Sequence, residues 1–261
     1  MLEGSHIKLR LFLIEFNNAL LFPVAELMFL ILVFGSIRLI NLPQSPFSFW
    51  STNTSFSETF FVNVIIPIVS GFNIYLIPYA IFMATFLGQG INNGTVGAHF
   101  LFGISRFRFL IYNGISHFII LSGISIGALM VSSAVLWVIP TGSGLALTLF
   151  VITCWNVYIV SSGLFSGVVT GNPVGGAFLS VGFILLPEFS AVLGLNNPST
   201  PLEYFVAGLS RGAASITYIN QTGSKESSMA ILGLITLIAV SAALVIIAFL
   251  FLNNRDIRAG R

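Results

Sequence analysis

Charge is scarce in this chain: 10 lysines and arginines, 8 acidic residues and 3 histidines among 261 residues. Water-soluble domains carry roughly 25% charged residues to keep their surfaces hydrated, against 7% here. That shortage excludes a soluble domain, and a net charge of +2 is too small to point to nucleic acid. Cys154 is the sole cysteine and lies in an apolar run, so no intrachain disulfide can form and the residue reads as a packed thiol. The histidines are His6, His99 and His117, with no paired ligands at helical or turn spacing. No metal or haem site is therefore expected. The phosphate-binding pattern G-x-x-x-x-G-K-[ST] does not occur, and the glycine-rich stretches 142–144 and 171–176 lack the lysine that would meet phosphate. Any ATP hydrolysis must reside in another chain. No nucleophile and base stand together, so no catalytic residue is assigned and the chain is not expected to be an enzyme.

What is abundant is apolar: 56% of residues are hydrophobic and the mean hydropathy is +1.00. Crossing about 30 Å of hydrocarbon takes roughly 20 apolar residues in a helix, which satisfies its own backbone where no water is available. Six segments qualify, near 19–40, 60–88, 109–137, 145–170, 177–196 and 229–252. The expected fold is all-α: a single transmembrane domain over 1–261. Pro67 and Pro78 allow a kink in the second span. Breaks fall at 41–57, at the turns Pro140-Thr-Gly-Ser-Gly144 and Gly171-Asn-Pro-Val-Gly-Gly176, and over 196–228. Residues 6–17 mix Lys8, Arg10 and Glu15 with apolar side chains. They suit a helix lying in the membrane interface; an extension of the first span fits nearly as well. After Arg10 the apolar run 11–14 is cut by Glu15, Asn17 and Asn18, too short for a signal-peptide core, so the N-terminus is expected to be retained.

Six spans put both termini on one side, and basic residues choose the side. Seven of the ten basic residues (Lys8, Arg10, Arg106, Arg108, Arg255, Arg258 and Arg261) fall at the termini or in the loop between spans two and three. Arg38, Arg211 and Lys225 fall opposite. A multi-pass protein of the cell membrane with both termini cytoplasmic follows. The outer segments then contain the glycosylation triplets Asn53-Thr-Ser55 and Asn220-Gln-Thr222, a pattern that also arises by chance, as Asn93-Gly-Thr95 on the cytoplasmic side illustrates.

Ionisable residues at membrane depth are costly unless function or a partner offsets the penalty. Glu26, His117 and Glu188 are the candidates; neither Glu26 nor Glu188 has an obvious Lys or Arg partner within the spans, and satisfied or snorkelling side chains are the simpler expectation. Glycines recur at Gly123 and Gly127 and at Gly163, Gly167 and Gly171, a spacing that lets helices approach closely. These are packing features first. The 26 phenylalanines read as lipid-facing and core packing.

Two segments carry a family resemblance. The loop Gly94-Thr-Val-Gly-Ala-His-Phe-Leu-Phe-Gly-Ile-Ser-Arg106 resembles the type-2 ABC permease pattern, in which Gly-Thr precedes a Leu-rich turn and a Pro-Val-Ser-Arg ending. Gly94, Thr95, Leu101, Ser105 and Arg106 match, and Ile104 stands for valine; Gly97 replaces the usual acid and Gly103 the proline. The end of the last span, Phe251-Leu-Asn-Asn-Arg-Asp-Ile257, is similar to the Arg-Asp-Ile tail of these permeases at Arg255, Asp256 and Ile257. Topology extends the resemblance over nearly the whole chain.

The resemblance implies a half-transporter, more in keeping with export than import. Two permease subunits, identical or paralogous, would work with two separate ATPase subunits that hold ATP and Mg. The segment with Gly94, Thr95, Phe100, Leu101, Gly103, Ser105 and Arg106 would dock on an ATPase, together with the N-terminal interfacial helix. Short re-entrant helices would precede the last span, where an exposed loop fits almost as well. On the residues alone, apolar Phe100 to Phe102 beside Arg106 and Arg108 suit docking in a groove, and positive-inside anchoring alone is the plainer alternative. A membrane subunit of a respiratory or ion-translocating complex is the competing class.

Overall fold

A computed structural model describes residues 66–101, 103–135, 142–192 and 223–255. Among them six helices follow one another: α1 Ile66–Asn92, α2 Thr95–Leu101, α3 Arg106–Val135, α4 Gly142–Thr170, α5 Pro173–Val192 and α6 Gly223–Asn254. The described part is all helical. Three stretches, Arg106–Gly127, Ile152–Thr170 and Ile235–Asn254, are long and apolar enough to cross a membrane, and Pro173–Leu185 is a shorter apolar helix. The chain is thus built as a helical membrane protein. The expected first span, interfacial helix and re-entrant segment lie outside the described residues, as do Glu26, Asp256, Ile257 and both outer glycosylation triplets.

Local chemistry sets the helix ends. Asn172 accepts a hydrogen bond from the Val174 amide on its Oδ1 at 2.9 Å, and Pro173 opens α5. Asn at the cap and Pro at the first helical position form a standard start signal, so most of the expected turn 171–176 belongs to the helix. Ser105 does the same for α3, accepting from the Arg108 amide at 3.3 Å, which moves that helix three residues upstream of the expected 109. α1 continues through Pro78.

Helix α4 is the hub, packing against α1, α3, α5 and α6. Its glycines allow this. A Cβ at Gly163 would stand 3.1 Å from Met83 Sδ, and one at Gly167 would stand 2.9 Å from the Ala84 carbonyl oxygen on α1. On α5, Gly176 meets the same carbonyl at 3.0 Å. Close backbone approach without side chains between is the usual way membrane helices associate. Trp155, Tyr158 and Ile159 fill the middle of the bundle. Gly123, by contrast, has nothing within 4 Å of a would-be Cβ.

Candidate functional site: the helix end around the α2 elbow

One end of the bundle gathers the end of α1, all of α2, the start of α3, the α4–α5 turn and the end of α6. Gly94 closes α1 with φ 75°, a left-handed conformation that glycine adopts without steric penalty. Thr95 then opens α2, its Oγ1 donating to the Gly90 carbonyl at 3.0 Å. The elbow folds back as Phe100 meets Phe109 edge to face at 5.6 Å and His99 stacks near the same ring at 5.8 Å. Leu101 is left outside, 76% exposed. Thr95, Gly103 and Ser105 are exposed beside it.

Arg106 does not face outward. Its Nη1 donates to the Leu252 carbonyl at 2.6 Å and to that of Asn253, and its guanidinium lies 5.6 Å over the Phe100 ring. Arg255 acts similarly on α4: Nη1 donates to the Val168 carbonyl at 3.0 Å and Nη2 to that of Thr170 at 3.4 Å. Both arginines therefore cap helix C-termini, whose last carbonyls lack intrahelical partners and favour positive charge. Gly171 makes room, since a Cβ there would overlap the Arg255 guanidinium. Each of the two segments that carry the family resemblance thus supplies an arginine that joins helices within the chain. Arg106 ties α3 to α6, and Arg255 ties α6 to α4.

Where the permease pattern has proline, Gly103 has φ 82° with open space around it. Proline is fixed near −65°, so this elbow has a backbone that the family residue cannot adopt. Comparison of the chain with family models, with characterised proteins and with solved structures finds no match.

Deeper in the bundle lie polar contacts that sequence reading only partly anticipated. His117 is buried on α3, with the Tyr79 hydroxyl 2.9 Å from its Nδ1 and 3.2 Å from its carbonyl oxygen. Both contacts are satisfied at once when Nδ1–H donates to the tyrosine oxygen and the hydroxyl donates to the carbonyl. Asn156 on α4 donates from Nδ2 to Ser122 Oγ at 3.3 Å and to Ser125 Oγ at 3.4 Å. Tyr79, Ser122, Ser125 and Asn156 were not singled out from sequence; a lone amide within an apolar run was the available signal. Glu188 falls near the end of α5. Among the described residues, no group of three His, Cys, Asp or Glu side chains is placed to hold a metal ion.

Proposed function

We propose that the chain is the membrane-spanning permease subunit of an ATP-driven exporter, paired with a second permease subunit and with separate ATPase subunits that carry ATP and Mg. The observation that carries this reading is the α2 elbow. A short helix stands at one end of the bundle with Leu101 turned outward, while the neighbouring arginines fasten the spans to one another. A force applied to α2 would be transmitted through α3 to α6 and α4. Six spans with both termini cytoplasmic accord with the end of α6 lying beside the α2 elbow.

Purification of the full-length chain in mild detergent tests this. A P-loop ATPase is expected to co-purify, and Leu101→Asp is expected to release it while leaving thermal stability unchanged. Recovery of the intact chain without any P-loop protein would overturn the proposal. The buried Tyr79–His117 pair favours a second reading, a subunit of an ion-translocating complex. Unchanged proton flux in His117→Gln, Glu26→Gln and Glu188→Gln variants would remove it.

A further inference from the structure

A groove of about 310 Å³ opens between α3 and α6, floored by α4. Ile111, Ile115 and Phe118 form one wall, Ile246 and Phe249 the other, and Leu164 part of the floor. The one hydroxyl in the lining, Ser161, already donates to the Val157 carbonyl at 2.7 Å. Inside, nothing is offered to a polar guest. At the basic end, Arg106 and the edge-to-face pair of Phe107 and Phe249, 5.5 Å apart, join the two walls.

Arg108 lies at that end, exposed, in the first turn of α3. It precedes Ile111 and Ile115 by three and seven residues, a spacing that puts all three on one flank of the helix. Unlike Arg106 and Arg255, its guanidinium makes no hydrogen bond with any described residue. An exposed basic side chain therefore stands at one end of the apolar groove, on the flank of α3 that carries Ile111 and Ile115.

We propose that this groove holds one acyl chain of an anionic phospholipid, with the headgroup phosphate on Arg108. Two features select a lipid over a helix from a second copy. Helix–helix contacts in membranes favour small residues, and Gly163 and Gly167 of α4 are already used against α1, whereas the groove is lined mostly by bulky Phe, Ile, Leu and Val, with Gly114 as its one glycine. The charge at the mouth also matches an anionic headgroup, each basic residue near an anionic surface contributing about 1 kcal/mol. This site does not depend on the transporter reading; it needs only α3, α4 and α6 in the bilayer.

The test is native mass spectrometry of the full-length chain in mild detergent with equal amounts of phosphatidylglycerol and phosphatidylcholine of identical acyl chains. Phosphatidylglycerol should be retained in preference by about fivefold, the factor equivalent to about 1 kcal/mol. Arg108→Gln should reduce that ratio to near one. Ile115→Trp, a change at a half-exposed position on the groove wall, should lower retention of both lipids. Equal retention by the unmodified chain, or an undiminished preference in Arg108→Gln, would overturn the proposal. So would a lipid-free dimer cross-linked through cysteines placed at 111 and 246.

Discussion

Helices α4 and α6 have similar lengths and opposite fates. In the apolar stretch of α4, 78% of residues are buried inside the molecule; in that of α6 the figure is 28%. The buried helix is the less apolar of the two, with a mean hydropathy of 1.4 against 2.9. In water this ordering would be reversed. In a bilayer, lipid tails are as apolar as leucine, so hydrophobicity does not draw helices together and packing and polar contacts decide. α4 commits its surface to Gly163, Gly167, Asn156 and Ser125-facing contacts, while α6 turns Ile235, Ile246, Leu250 and Phe251 outward.

The contrast can be tested by placing equivalent changes in the two helices. Gly167→Leu would force a side chain into the Ala84 carbonyl and Leu87, and a loss of about 3 kcal/mol is expected, read as a collapse of the folded fraction in detergent. Ala242→Leu, at an exposed position of α6, should change stability by less than about 0.5 kcal/mol. Comparable losses in both would mean that α6 is packed as tightly as α4. Next in size is Arg255→Gln, which weakens the cap on α4; thermal unfolding should show a loss of about 1 to 2 kcal/mol. Asn156→Leu, which removes the α3–α4 amide contacts, should lower stability by about 1 kcal/mol. Ser241→Ala on α6 should be nearly silent, because that hydroxyl donates only within its own helix, to Leu237.

Much of the bundle was readable in advance because a lipid-crossing helix needs a long apolar run, and five of the expected spans overlap described helices. Their ends shifted where capping outweighed hydropathy: Ser105 and Asn172 began helices earlier than apolar content suggested. The candidate site was read less completely. Gly94, Thr95 and Leu101 form an elbow with an exposed leucine. Arg106 and Arg255 were visible as basic residues, but a hydropathy profile cannot show that each reaches carbonyls far along the chain. The same holds for Tyr79 and His117, separated by 38 positions.

The Arg255 cap also bears on the order of assembly. Chains emerge from the ribosome N-terminus first, so α4 and α5 exist before the residue that satisfies the carbonyls of Val168 and Thr170 has been made. Until then those carbonyls need other donors. Arg255, the residue after α6, then supplies them, so the end of the last helix works as a latch on the α4–α5 turn.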